Sequence, residues 1–155
     1  MQFAQQRHRE TYELVREYLK ELFEETYEDD EGHFYVQYGS TVIEISAEPY
    51  GPDEATVAIV AYCVQGADID DELLAKLLRM NHDLPFGAFS VVGDDIFFSH
   101  TLFGRTLQRS NLLGAVAAVA EISDEYDDKL AVSYGGETAL DRIRRTGGRR
   151  RRRES

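Results

Sequence analysis

Ala55-Thr56-Val57-Ala58-Ile59-Val60-Ala61-Tyr62-Cys63-Val64 is a nearly continuous apolar run without glycine, proline or charge. Pro49, Gly51 and Pro52 make a turn just before it. Such a run is too short for a helix and rich in β-branched residues, so it predicts a strand at the centre of a sheet, buried on both faces.

On its N-terminal side, His33 to Tyr38 and Thr41 to Ala47 are rich in β-branched and aromatic residues and are separated by Gly39-Ser40, which predicts a hairpin. Before them, Tyr12, Val15, Leu19, Leu22 and Phe23 recur at helical spacing among glutamates, predicting an amphipathic helix from about Arg7 to Tyr27. Glu28-Asp29-Asp30-Glu31-Gly32 reads as its stop.

On the C-terminal side, Asp68 or Asp70 can cap a helix through Leu73, Leu74, Leu77 and Leu78 that ends before Pro85, with Glu72 near its positive end. Gly87 to Val92 and Ile96 to Leu102 flank Gly93-Asp94-Asp95, a second hairpin signal. A long helix from near Ser110 aligns Leu112, Val116, Val119, Tyr126 and Leu130, interrupted by Ser123, until Ser133-Tyr134-Gly135-Gly136 breaks it. A short helix from Glu137 to Arg145 and a disordered arginine-rich end, released by Gly147-Gly148, are expected to follow. The order α-β-β-β-α-β-β-α, without internal repeat, predicts one α+β domain over residues 1–136, an antiparallel sheet covered by helices, and a tail over 137–155.

Length and composition agree with a self-supporting core. The 155 residues are 43% hydrophobic, with Tyr 9 and Phe 8, and a chain of this size buries roughly 70% of the surface its unfolded form exposes. The lone cysteine, Cys63, permits no intrachain disulfide and points to a reducing compartment. No apolar stretch approaches a spanning helix and no apolar segment follows Arg7 and Arg9, so a cytoplasmic protein without membrane contact is expected. Net charge is -12, but of 17 Lys+Arg eight lie after Gly136 against three acids, so the tail carries +5 and the remainder -17. That remainder repels nucleic acid and anionic membrane, which only the tail can attract.

Candidate chemistry is sparse. A thiol enzyme would need Cys63 beside His33, His82 or His100, but burial in the most apolar strand raises a thiol's pKa, so Cys63 is read as structural. The carboxylates from Glu28 to His33, and Asp68, Asp70, Asp71 and Glu72, match no calcium-loop spacing, and are read as helix termination and capping. Phosphate-cradling glycine motifs are missing, Phe103-Gly104-Arg105-Thr106 being only a weak approach to one, and the glutamates of the first helix read as a solvated face. No catalytic residue, cofactor or metal site is therefore assigned. Aromatic residues remain: Phe97 and Phe98 must point to opposite faces of their strand, with Phe86, Phe89 and Phe103 around them. Phe97, Phe98 and Phe103, with Arg149, Arg150, Arg151, Arg152 and Arg153, form the candidate partner-binding set.

The segment Leu77-Leu78-Arg79-Met80-Asn81-His82-Asp83-Leu84-Pro85-Phe86-Gly87-Ala88-Phe89, the strand from Ile96 to Leu102 and Ile122-Ser123-Asp124-Glu125-Tyr126-Asp127-Asp128 resemble the YbjN family. That family groups with type III secretion chaperones of the Tir-chaperone type, and the resemblance runs from about Arg7 to Gly136. It implies a bacterial, non-enzymatic, peptide- or protein-binding chaperone-like adaptor or regulator that forms homodimers and recognises its partner with sheet edges and apolar patches. The arginine-rich tail is no part of the family pattern, and an alternative reading makes the chain a nucleic-acid-associated regulator that uses it.

Two finer expectations concern single residues. Asn81 should bond the backbone of the Leu84-Pro85 turn, with Pro85 and Gly87 fixing the entry to the next strand. Asp124, Glu125, Asp127 and Asp128 should lie at the end of the long helix, where the macrodipole disfavours them, and attract Arg142, Arg144 and Arg145, with Arg149 to Arg153 over the acidic body as an autoinhibitory arm.

Overall fold

The structure, a computed structural model, describes residues 5–137 and residue 145. Its elements in chain order are α1 (Gln6–Leu22), β1 (Tyr27–Glu28), β2 (Phe34–Tyr38), β3 (Thr41–Tyr50), β4 (Glu54–Val64), α2 (Asp71–Asp83), β5 (Ala88–Val92), β6 (Asp95–Phe103) and α3 (Arg109–Tyr134). The strands form one antiparallel sheet in the order β1-β2-β3-β4-β6-β5. Apart from β1, the element order and fold class are those expected.

The apolar run is the sheet's centre, β4, but it is fully buried on one face only. Ala55, Val57, Ile59, Ala61 and Cys63 are 0% exposed, whereas Thr56, Ala58, Val60 and Tyr62 are partly exposed. The cause is layer count: α1 and α3 both pack on the same side, against β3 and β4, and α2 lies beside the edge strand β5. One layer of helix seals one face. Phe34, Ile43, Ile45, Ile59 and Phe98 meet Val15 and Leu19 of α1 and Leu112 and Val116 of α3 in that core.

Three local expectations are corrected, although α3 ends where its glycine break places it. α1 closes at Leu22, where the Phe23 N–H bonds the Leu19 carbonyl, and Tyr27–Glu28 then adds a short strand opposite Tyr35 and Phe34. Arg16 ties the two together by donating to Glu28, 2.7 Å away, while it also donates to the hydroxyl of Tyr12 in its own helix. The acidic residues from Asp124 to Asp128 lie more than a turn before the end of α3 at Tyr134, so the macrodipole cost inferred for them does not arise there. Glu137 is not helical: it forms an isolated bridge with Gln65 at the end of β4.

Local signals otherwise did what their chemistry requires. The Asp70 carboxylate accepts from the Leu73 N–H at 2.8 Å and caps α2. Gly87 stands at φ +69°, and a Cβ there would lie 2.6 Å from the Phe98 ring and 2.7 Å from the Ser99 carbonyl, so only glycine fits the entry to β5.

Candidate binding surface

The face of the sheet away from α1 and α3 carries a row that crosses all six strands: Tyr27, Tyr35, Glu44, Val60, Ser99 and Ala88 are successive register partners. Residues in register share a face, so the row is continuous. In the adjoining row Gln37 pairs with Val42, Tyr62 with Phe97 and Phe97 with Ser90. Tyr62 and Phe97 meet edge to face at 4.8 Å, and the tilted rings of Tyr27 and Tyr35 lie 6.0 Å apart. Towards the far corner Tyr50 and Phe103, 60% and 57% exposed, meet at 6.3 Å.

Carboxylates thread these rings. The Tyr62 hydroxyl donates to Glu44 Oε2 at 3.2 Å and the Tyr35 hydroxyl to Asp29 Oδ2 at 3.2 Å. Burial, and then the neighbouring Glu44 and Asp29 carboxylates, push the Tyr35 phenol well above its usual range, so it stays a neutral donor. None of the six strands contains a lysine or arginine. The surface is therefore aromatic and acidic, with donors and acceptors held in place by the sheet.

The edges differ. At β5, the Asn81 side chain accepts from the Phe89 N–H at 2.7 Å and donates to the Phe89 carbonyl at 3.1 Å. Asn81 thus acts as a one-residue strand partner for β5 instead of bonding the Leu84-Pro85 turn, because α2 runs alongside the strand that follows it. At the opposite edge, β1 pairs only with Phe34 and Tyr35 of β2. Beyond them, Val36 to Tyr38 has no further strand alongside it among the described residues.

Of the candidate partner-binding set, Phe97 and Phe103 lie on this open face, whereas Phe98 is 0% exposed in the core and is removed from the set. Arg149 to Arg153, and Arg142 and Arg144, lie outside the described residues. Arg145 is bidentate to Glu137, at 2.9 and 3.1 Å, and not to the α3 carboxylates. Asp124 accepts instead from the Ser40 hydroxyl at 2.8 Å.

The reactive candidates are held in structural roles. Cys63 is buried, its Sγ is 3.1 Å from the hydroxyl of Ser123, and burial pushes the thiol up to about 12. Ser123, which breaks the apolar stripe of α3, is that thiol's hydrogen-bonding partner. Asp29, Glu31 and His33 can bring ligand atoms within 4.8 Å of one another. Asp29 Oδ1, however, accepts from the main-chain N–H groups of Glu31 and His33, at 3.0 and 2.8 Å. Burial opposes its ionisation, but these bonds and the His33 ring hold its carboxyl below the usual range. The cluster shapes the turn between β1 and β2 rather than ending α1. His82 lies in the last turn of α2, and His100 stacks on Phe86 at 3.6 Å.

Residues 9–142 match the family model described as T3SS (YopN, CesT) and YbjN peptide-binding chaperone 1. The chain belongs to that family. Among solved structures it is similar to a chain of the ExsC–ExsE complex, with 10% identity, a TM-score of 0.59, and coverage of 79% of this chain and 95% of that one. It is also similar to a chain of the HopA1–SchA chaperone–effector complex, with 12% identity, a TM-score of 0.58, and coverage of 76% and 94%. At such identities the likeness is one of fold. No curated protein matches the sequence. Family membership agrees with a surface that offers side-chain contacts and main-chain partners, and it was the Phe97/Phe98 parity that pointed to this surface from sequence. Sequence reasoning missed the Tyr35–Glu44–Tyr62 cluster, whose only signal was tyrosine and glutamate at alternating strand positions.

Proposed function

We propose that the protein is a non-enzymatic, chaperone-like adaptor that holds an extended segment of another protein against the uncovered side of its sheet. The single observation that carries this reading is the continuity between the open edge at Val36 to Tyr38 and the aromatic rows beside it. An added strand would take its main-chain bonds from the edge and seat alternate side chains on the face. Family membership and chaperone–effector complexes of the same fold support it.

The active unit is a homodimer in this reading. α2 turns Leu74 and Leu78 outward one helical turn apart, 39% and 71% exposed, and a second copy is the partner that an outward leucine pair on a helix suits. A nucleic-acid role would rest on the arginine-rich tail from Arg142 to Arg153, since the strands offer phosphate no cation. The protein works in the cytoplasm in this account, and no described helix is long and apolar enough to cross a membrane.

Fluorescence anisotropy with a panel of labelled, unstructured peptides of varied composition tests the reading. Saturable binding by some members, lost when their main chain is N-methylated, is expected. No saturable binding by any member would overturn it.

A further inference from the structure

The open face also constrains what chemistry can occupy it. Three observations bear on this. First, Glu44 and Glu48 stand on this face, as register partners of Val60 and Thr56, and the six strands contain no lysine or arginine. Second, Glu44 lies at the middle of the sheet, between Tyr35 and Val60 in its row, and forms no ion pair among the described residues. Its carboxylate is held at the Tyr62 hydroxyl, whose ring meets Phe97. Third, the remainder of the chain before the tail carries -17, so a second copy laid face to face, or a nucleic acid, would meet like charge.

We infer that this face selects peptide segments in which arginine alternates with apolar or aromatic residues, with Glu44 receiving the guanidinium and Tyr62 and Phe97 flanking it. This rests on the peptide-binding reading and names its ligand. A guanidinium satisfies both demands of the site at once: its fork matches a carboxylate, and its flat face stacks on an aromatic ring. Lysine meets only the charge. Alternation matters because side chains two apart on an extended segment share the face that touches the sheet. The tyrosine hydroxyl at Glu44 fixes the carboxylate before the ligand arrives, which lowers the ordering cost of binding.

The test uses the full chain and three labelled peptides with one alternating apolar scaffold, the variable positions being arginine, lysine or glutamate. The arginine peptide should bind about tenfold or more tighter than the glutamate peptide, with lysine between them. Glu44→Gln should remove most of that preference, by weakening the arginine peptide and by relieving the repulsion that the glutamate peptide meets. Tyr62→Phe, which keeps the ring, should reduce it partly, and both variants should keep the wild-type melting behaviour. Equal affinity for all three peptides, or a preference untouched by Glu44→Gln, would overturn the inference and leave peptide binding intact; binding by none would overturn both. A photo-cross-linker placed at Phe97 identifies the occupant. Linkage to the arginine peptide supports the inference, and linkage to residues 149–153 of the same chain in the presence of saturating peptide overturns it, by giving the face to the protein's own arginines.

Discussion

The two faces of one sheet carry alternate residues of the same strands and have opposite chemistry. On the covered side Phe34, Ile45, Ile59 and Phe98 stand in successive strands and are at most 1% exposed. On the other, one residue along, stand Tyr35, Glu44, Val60 and Phe97, which are partly exposed. The strands are thus committed to stability on one side and free on the other to carry hydroxyls, carboxylates and rings in a fixed array. A face that must be sealed cannot be varied for a ligand. A face that seals nothing can.

Adjacent Phe97 and Phe98 give the largest contrast. Phe98→Ala should destabilise the fold by about 3 to 5 kcal/mol, through lost burial and a cavity, measured by chemical denaturation. Phe97→Ala should cost about 1 kcal/mol, since it loses chiefly a half-exposed contact with Tyr62. Comparable losses at the two positions would mean that the open face is part of the core.

The edges give the next contrast. Asn81→Ala removes both bonds to the Phe89 main chain and should cost about 1 to 3 kcal/mol. Amide exchange at Phe89 should accelerate, while exchange on β4 stays slow. An unchanged Phe89 amide would show that α2 shields the edge without Asn81.

Much of this was legible in the sequence because it depends on neighbours along the chain. The apolar composition of β4 marks the centre, Gly39-Ser40 the first hairpin, Asp70 the cap and the Phe97-Phe98 pair the two faces. What the sequence left unread depends on register and layers. Ala58 and Val60 look as buried as Val57 and Ile59 until it is known that helices lie on one side only. Tyr35, Glu44 and Tyr62 become one cluster only once three strands are in register. Asn81 sits near a turn in sequence but reaches a strand eight residues away. β1 is two residues long, too short for any periodicity.

The covered side also predicts how its titratable groups behave. With its pKa at about 12, Cys63 should react with a disulfide reagent at pH 8 far more slowly in the native protein than after denaturation. Rapid native labelling would contradict its place in the core. A smaller effect is expected at His100, where burial depresses the imidazolium and Phe86 covers the ring. Its contribution is full above the unfolded value of 6.5 and is lost as the pH falls below it towards the lower folded value. His100→Gln should therefore flatten the decline of stability in that window. An identical decline in the variant would assign it to other groups.

Backbone and side-chain chemical shifts, followed by NMR while an extended peptide is titrated in, test the central claim most directly. The account predicts saturable shifts at Tyr35, Val36, Glu44, Val60, Tyr62 and Phe97, with Val15, Leu19, Val116 and Val119 on the covered side unmoved. Shifts confined to α1 and α3, with the open face silent, would contradict it.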